Sequence, residues 1–379
     1  MKIREFKGIN NVSDEMKLGA GELTSAVNVD VWSRGNLRRR RGRTLLAAGD
    51  MHDLFEAPFG LLARVGADLK LFDKTGTLLR TVYPSIGFTR VWYVLLNDGR
   101  VAFSNGLITG VATATDTLPW GVPTPPDCGD AVAGVGTMRM ITYVRDSDGL
   151  EGPPCYGGEF DPAAGGIVNL PSTPGYSINV YFGAYGRDWL LAGNTTTDTF
   201  DPSGAQLGAS YTDTGVTAPP AGTSLYSWNS RILIADGKTL WATRPFQPEL
   251  VDATQDFIQL PSEITTLYGT GAGLFVGTTD ELYYFTGTVW RDMKAQTIAS
   301  GYVARGSMVE VSLNYLHKSV RPTGIQQGAL CLIDGAVFLI FGDGQVNGLT
   351  NGRYKTAATE VYATTRLHEG VLQYIAVPA

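Results

Sequence analysis

"EITTLYGTGAGLFVGTTDELYYFTG", residues 263–287, contains a β-rich run, a glycine turn at 271–273 and a second β-rich run. Apolar, β-branched and aromatic residues on both sides of a glycine turn are typical of a strand–turn–strand unit. The same scheme recurs in residues 224–245 and 328–350. Repetition of such units predicts an all-β protein made of antiparallel sheets.

The units also occur earlier in the chain. Residues 52–83 hold three β-rich runs separated by glycine turns, and residues 90–111 repeat the scheme, with Asp98-Gly99 expected as a type I′ hairpin turn. Equivalent turns lie about 30–45 residues apart, which is the period of a propeller blade. The sequence therefore predicts a β-propeller of about five to seven blades. A β-sandwich or an open solenoid is the alternative arrangement.

The middle of the chain has a different character. Residues 119–130 are rich in proline, which disfavours regular secondary structure. The residues that follow have short strand patterns and turn signals at the spacing of an immunoglobulin-like β-sandwich. We therefore predict a domain inserted between two blades. The expected divisions are a basic N-terminal arm with the first propeller strand (1–49), the first part of the propeller (50–120), the insert (121–217) and the rest of the propeller (218–379).

Composition agrees with a β-rich fold. The 379 residues are 44% hydrophobic and only 17% charged, and they include 47 glycines. No long amphipathic helix, signal sequence or apolar stretch of bilayer-spanning length is evident, so we expect a soluble protein made in the cytoplasm. The three cysteines are odd in number and scattered, which predicts no disulfide framework.

Motifs for metal, cofactor or catalytic chemistry are scarce. His52, His317 and His368 form no HExxH pattern, and no C-x-x-C is present, so we predict no metal, no cofactor and no enzymatic activity. Glycoside hydrolysis is the enzyme class that a propeller would best suit, because paired loop carboxylates can serve as acid and nucleophile. The candidates are Asp252, Asp256 and Glu263. We expect these to be exposed loop residues that cost only tenths of a kcal/mol on replacement by alanine.

Charge is unevenly distributed along the chain. Residues 1–49 hold ten Lys/Arg and five Asp/Glu, a net charge of +5, whereas residues 121–217 hold three arginines and eleven acids, a net charge of −8. Six arginines fall in "SRGNLRRRRGR", residues 33–43. They could neutralise nucleic-acid phosphates, but no aromatic residue interleaves them and most of the chain is acidic. We favour ion pairs with carboxylates of another protein subunit. The predicted interface residues are Arg34, Arg38, Arg39, Arg40, Arg41 and Arg43.

Three stretches resemble a known family. "FKGINNVSDEMKLGAGELTSAVNVDVWSRGNLRRRRGR" (6–43) resembles the opening of tail proteins from short-tailed double-stranded DNA phages, where such a stretch precedes a β-propeller. The stretch from "MITYVRDSDGLEGPP" (140–154) to "INVYFGAYGRDWLLAG" (178–193) is similar to the fibronectin type III or immunoglobulin-like insert of several such proteins. Residues 228–287 are similar to their propeller pattern.

The resemblance implies a tail nozzle or hub. Such a protein forms a homohexameric ring below the portal and adaptor proteins and continues the DNA ejection channel. The implied partners are further copies of the chain, portal or adaptor proteins, and tail fibre or spike proteins, with transient passage of double-stranded DNA and no sequence-specific binding. The implied location is the tail of the virion. A receptor- or glycan-binding propeller at the tail tip is the alternative, and a glycoside hydrolase is a third possibility.

Overall fold

The computed structural model is built from β-strands. It describes residues 8–14, 17–19, 21–26, 29–31, 37–39, 49–134, 136–183, 188–212, 215–315, 327–350, 352–368 and 371–379. No residue within these ranges is α-helical, and short 3-10 turns occur at Trp290–Asp292 and Leu313–Tyr315. The predicted all-β class is confirmed. In the same ranges no helix is long and apolar enough to cross a membrane.

The N-terminal arm contributes four short strands. They are β1 (Gly8–Ile9) and β2 (Glu22–Leu23), which pair in parallel, and β3 (Val29–Val31) and β4 (Leu37–Arg39), which pair antiparallel. The backbone N–H of Asn11 donates to the carbonyl of Arg353 at 2.9 Å, and its side-chain amide donates to the carbonyl of Lys355 at 2.8 Å. Arg353 also pairs with Glu22 at 3.2 Å. Asn11 and Glu22 of the arm therefore lie against a loop near the C-terminus.

Two four-stranded antiparallel sheets follow. Blade 1 consists of β5 (Met51–Ala57), β6 (Gly60–Val65), β7 (Asp68–Phe72) and β8 (Leu78–Tyr83), and blade 2 of β9 (Trp92–Leu95), β10 (Val101–Ser104), β11 (Thr109–Ala112) and β12 (Thr117–Leu118). Each strand pairs with its neighbour in sequence, as in a propeller blade.

The insert forms its own β-sandwich. Its strands are β13 (Asp130–Ala131), β14 (Thr137–Arg145), β15 (Glu151–Phe160), β16 (Ile167–Val168), β17 (Tyr176–Gly183), β18 (Leu190–Thr195) and β19 (Val216–Thr217). One sheet has the order β15-β14-β17-β18, and β13 pairs with β16 in a second. Ile167 of β16 is fully buried in one cluster with Ile141 and Ile178 of the larger sheet. The two sheets therefore share an apolar core.

Three further blades and a hairpin complete the propeller. Blade 3 consists of β20 (Ser224–Trp228), β21 (Arg231–Asp236), β22 (Thr239–Ala242) and β24 (Phe257–Gln259), and β23 (Val251–Asp252) pairs outside it. Blade 4 consists of β25 (Ile264–Gly269), β26 (Gly273–Thr278), β27 (Glu281–Thr286) and β28 (Lys294–Ser300). Blade 5 consists of β29 (Val309–Ser312), β30 (Gln327–Ile333), β31 (Ala336–Phe341) and β32 (Val346–Gly348), and the hairpin of β33 (Val361–His368) and β34 (Val371–Pro378).

Both ends of the insert lie together on the propeller. A side chain at Gly121 would meet the side chains of Ala218 and Pro219 at 2.9 Å, so the outgoing and returning chains are adjacent. Strand β19 then pairs with β23 next to blade 3. This geometry is what an insertion between blades 2 and 3 requires. The limits 121 and 217 themselves stay a prediction.

Apolar clusters join successive blades. Four clusters take buried side chains from two neighbouring blades, for example Leu62 and Phe103 between blades 1 and 2, and Phe275 and Ile340 between blades 4 and 5. Burial of one such side chain contributes about 1.5–3 kcal/mol. Partly buried Tyr374 of the hairpin packs on the apolar cluster of blade 5. Within the described residues the propeller thus has five four-stranded blades and a two-stranded sixth sector, which agrees with the prediction of five to seven blades.

Turn geometry agrees with the sequence at one hairpin and differs at another. Asp334 and Gly335 both have positive φ, 47° and 74°, as a type I′ turn requires. In Asp98-Gly99 only the glycine is positive, at 85°, and the turn spans residues 96–100. The hairpin at Asp98-Gly99 was therefore located correctly, but its expected type I′ geometry was wrong, because the loop is longer.

Candidate functional site

The predicted interface arginines are only partly within the described residues. Arg38 and Arg39 lie on β4, where they pair in register with Asp30 and Val29 of β3. Arg34, Arg40, Arg41 and Arg43 lie outside the described residues. What the six arginines contact stays a prediction.

The three hydrolase candidates are engaged in structural contacts. Asp252 and Asp256 are buried, so the expectation that they are exposed was wrong. The Asp252 carboxylate caps its own turn by accepting the N–H of Thr254 at 3.0 Å and its hydroxyl at 2.6 Å. Asp256 accepts from Arg231 at 2.9 Å.

Glu263 is half-exposed and pairs with Arg305 at 2.5 Å. All three carboxylates are therefore already bound by groups of this chain, which does not favour the acid-and-nucleophile assignment of a glycosidase.

The histidines show no clustering in the described part of the chain. His52 lies 2.9 Å from Asp50, His317 lies outside the described residues, and His368 ends β33. The described ranges contain no group of three or more His, Cys, Asp or Glu side chains arranged to hold a metal ion.

Five charged residues meet where the insert joins the propeller, and we call them the junction cluster: Asp98, Arg100, Arg145, Asp148 and Glu249. The two carboxylate oxygens of Glu249 each accept from a different guanidinium, Arg100 and Arg145, both at 2.7 Å. Arg145 also pairs with Asp148 at 3.0 and 2.6 Å, and Arg100 with Asp98 at 2.6 Å. The Glu249 carboxylate thus joins blade 2, the insert and the loop before β23.

The junction cluster is shielded from water. The side chains of Arg145 and Glu249 are only 3% and 5% exposed. The hydrogen bond from Arg145 lowers the pKa of Asp148 below its usual value. Burial acts to lower the pKa of Arg145, but its contacts with Asp148 and Glu249 outweigh this and raise it. The charged forms of Arg145 and Asp148 are therefore favoured, and the ion pairs of the cluster hold the insert on the propeller.

A cleft of about 410 Å³ lies beside the junction cluster. Phe246 on its wall is 76% exposed and has a left-handed backbone, with φ of 60°. Such a conformation is unfavourable for a bulky residue and is found where surrounding structure enforces it. Here the Phe246 N–H donates to the carbonyl of Ser230 at 2.8 Å. The loop backbone is therefore held in place at Phe246, and the ring is exposed to solvent.

A second polar cluster closes the propeller. Asp53 of β5 accepts from Arg64 at 2.7 Å, from the backbone N–H of Val91 at 3.1 Å and from the Tyr362 hydroxyl of β33 at 2.7 Å. We call Asp53, Arg64, Arg90, Glu360 and Tyr362 the closure cluster. Burial first, and then the hydrogen bond to Asp53, raises the pKa of Tyr362 to about 12.

Arg90 strengthens the same closure. Its guanidinium lies 4.0 Å from the ring centre of Trp92 and 4.4 Å from that of Tyr362, and it donates to the carbonyl of Val361 at 2.7 Å. A glutamate, Glu360, lies 3.5 Å away. The first two blades and the C-terminal hairpin are therefore held together by hydrogen bonds, charge and cation–π contacts.

The sequence analysis missed both clusters. Their members are far apart in the chain: Arg145 and Glu249 by about a hundred residues, Asp53 and Tyr362 by 309. The only hint was compositional, because three arginines stand among eleven acids in the insert.

Comparison with known proteins assigns no function to this chain. No protein-family model and no curated protein matches the sequence. One similar solved structure is BBS1N from its complex with ARL6DN, at 11% identity over 87% of this chain and 91% of that chain, with a TM-score of 0.31. Another is the Pan2 WD40 domain of Neurospora crassa, at 7% identity over 82% of this chain and 68% of that chain, with a TM-score of 0.31. A third is virginiamycin B lyase from Staphylococcus aureus, at 9% identity over 82% of this chain and 87% of that chain, with a TM-score of 0.32. Identities and TM-scores this low carry no argument about function, and the propeller is assigned from the chain's own strand topology.

Proposed function

We propose that this chain is a structural protein of a virion, the tail nozzle or hub of a short-tailed phage. Six copies would form a ring that continues the DNA ejection channel below the portal and adaptor. The resemblance of residues 6–43 and 228–287 supports the family, and one structural observation supports a scaffolding role. The insert is fixed to the propeller by the buried junction cluster, so that each copy is a rigid, two-part building block.

Charge distribution supports contacts between identical copies. The arm carries +5 and the insert −8, so each copy presents opposite charges on different parts of its chain. A head-to-tail contact between such parts generates a ring when its rotation closes. In this proposal the arginines of one copy pair with carboxylates of a neighbouring copy or of the adaptor above it. The insert offers a lateral surface for tail fibre or spike proteins.

The same charges fit a DNA conduit. Outside residues 1–49 the chain carries a net −11, and acidic surfaces repel phosphates and so favour passage over retention. The proposed activity is mechanical, without an enzymatic step or a cofactor.

Replacement of Arg38, Arg39, Arg40 and Arg41 by glutamine tests the proposal. The variant loses four charges but keeps hydrogen-bonding capacity, and a matched control loses four charges at exposed lysines: Lys74, Lys238, Lys294 and Lys355. Sedimentation should show six-copy rings for the wild type and the control and mainly monomers for the arginine variant. Circular dichroism should show the same fold in all three.

DNA binding provides the opposing outcome. If the arginines bind DNA, the wild type would retard duplex DNA with a slope of about −0.9 per phosphate contact in log affinity against log salt. Normal rings from the arginine variant, together with loss of that retardation, would refute the assembly role. A wild-type protein that stays monomeric with purified adaptor present would refute the nozzle proposal itself.

A receptor- or glycan-binding propeller is the second candidate, and Phe246 favours it. Exposed aromatic rings fixed beside polar groups are typical of ligand contacts. Phe246→Ala should abolish binding to host-cell surface glycans on this hypothesis and leave ring formation unchanged. Equal glycan binding by the wild type and the variant would eliminate it.

A further inference from the structure

Two cysteines of the insert lie in direct contact. The sulfur atoms of Cys128 and Cys155 are 2.7 Å apart, closer than the van der Waals contact of two sulfur atoms and about 0.7 Å longer than a disulfide bond. Both are free thiols in this structure. Cys128 lies in the segment that leads into the insert, and Cys155 lies on β15.

Neighbouring contacts hold the backbone of both cysteines in place. The Arg139 side chain donates to the carbonyl of Cys128 at 3.2 Å and to that of Gly129 at 2.6 Å, which fixes the leading segment. Cys155 is opposite Ile141 in the β14–β15 ladder. A covalent bond between the sulfurs therefore needs only a small movement of two side chains that are already ordered.

We propose that Cys128 and Cys155 are a modification site, which forms an intramolecular disulfide on exposure to a small-molecule disulfide such as oxidised glutathione. Cys155 is the better exposed of the two, so its thiolate attacks one sulfur of the reagent and releases one glutathione thiolate. The Cys128 thiolate then attacks the Cys155 sulfur and releases the second. Two protein thiols are oxidised, one glutathione disulfide is reduced, and the two thiol protons pass to the released thiolates.

The third cysteine provides an internal comparison. Cys331 is fully buried in the core shared by blades 4 and 5, where the reagent has no access. Oxidation should therefore consume two thiols of the folded protein and spare the third.

The disulfide would strengthen the fold of the insert. It closes a loop whose ends are 27 residues apart and ties the leading segment to the larger sheet of the sandwich. Cross-linking of this kind stabilises a fold chiefly by restricting its unfolded chain. The oxidised insert should unfold at a higher temperature than the reduced insert. This inference stands independently of the proposed role in a phage tail.

Oxidation of the full-length protein tests the site. Folded wild type is treated with oxidised glutathione, free thiols are counted before and after, and a non-reducing peptide map locates the bond. The variants Cys128→Ala and Cys155→Ala each remove one partner, and Cys331→Ala is the matched control. We expect the thiol count to fall from three to one in the wild type and from two to zero in Cys331→Ala, with a Cys128–Cys155 peptide in both. Cys128→Ala should instead retain glutathione on Cys155.

Thermal unfolding provides a second measurement. Oxidised wild type should show a higher midpoint that returns to the reduced value on addition of a phosphine reductant, and neither single partner variant should show the rise. Retention of three thiols by the wild type, a stable glutathione adduct with Cys128 still free, or a disulfide only between chains would each overturn the proposal.

Discussion

Glu249→Gln should weaken the attachment of the insert to the propeller while preserving the fold of the protein. The substitution removes the one carboxylate that accepts from both Arg100 and Arg145, and Arg145 is only 3% exposed. Removal of one partner from a buried ion pair typically costs about 3–5 kcal/mol, because the opposing charge stays buried. Asp98 and Asp148 still accept from the two guanidinium groups, so we expect the lower end, about 3 kcal/mol.

Urea unfolding measures this loss. Glu263→Gln is the matched control, because Glu263 forms a single ion pair with Arg305 and is half-exposed. A single pair that is open to solvent on its Glu263 side is worth less than about 1 kcal/mol and weakens in salt. The loss of unfolding free energy caused by Glu249→Gln should persist at high salt, whereas any loss caused by Glu263→Gln should disappear there.

A double-mutant cycle makes the result specific to the junction. Arg145→Gln should also destabilise the protein, and the double variant should lose less than the sum of the two, because both changes remove the same contact. Additive losses, or a Glu249→Gln loss below about 1 kcal/mol, would refute the buried-cluster explanation.

Three further predictions follow from single contacts. Gly269→Ala should cost about 1–3 kcal/mol in unfolding free energy, because its new carbon would lie 2.0 Å from Trp228 of the neighbouring blade, whereas Gly271→Ala, with open space around it, should change stability little. Asp252→Ala should lower the unfolding free energy by about 1.5–3 kcal/mol, because the charged hydrogen bonds of the carboxylate are lost, whereas an exposed loop residue would cost only tenths of a kcal/mol. A loss of only tenths of a kcal/mol in urea unfolding would show that the capped turn does not contribute to stability. The pKa of Asp148 is lowered in the folded protein, so the stability that its ionised carboxylate contributes is complete above the unfolded pKa of about 3.9 and is lost as pH falls through the lower folded pKa. Below about pH 4 the unfolding free energy of the wild type should therefore fall more steeply with pH than that of Asp148→Asn. Parallel profiles of unfolding free energy against pH would contradict this.

The fold was largely predictable, because its evidence is local. Each hairpin is marked by short apolar runs on either side of a glycine turn, as in residues 328–350, where β30 and β31 pair on either side of Asp334-Gly335. Prediction was weakest in residues 296–319, which carry no clear blade pattern. There β28 is mostly exposed, and β29 follows only after a segment without regular structure, so neither shows a regular alternation of buried and exposed residues.

The polar contacts were not predictable, because they depend on residues brought together only by the fold. Asp252 was expected to be an exposed loop acid, but it is buried. Its turn is closed by its own carboxylate and by β19, which comes from the far end of the insert, and no local sequence pattern shows that contact. Cys128 and Cys155 looked scattered for the same reason. Their separation of 27 residues says nothing about the sandwich that places their sulfurs in contact.

The two charge clusters occupy two of the places where the chain joins parts that are distant in sequence. Neighbouring blades are consecutive, and apolar packing can assemble them in order along the chain. The junction cluster joins the insert to blades 2 and 3, and the closure cluster joins β33 to β5, the last sector to the first. Apolar surfaces are tolerant of small displacements, whereas hydrogen-bonded ion pairs require one geometry and penalise all others. We therefore expect the clusters to fix the angle of the insert and the closure of the propeller, which are the two quantities that six identical copies would need to share in order to close one ring.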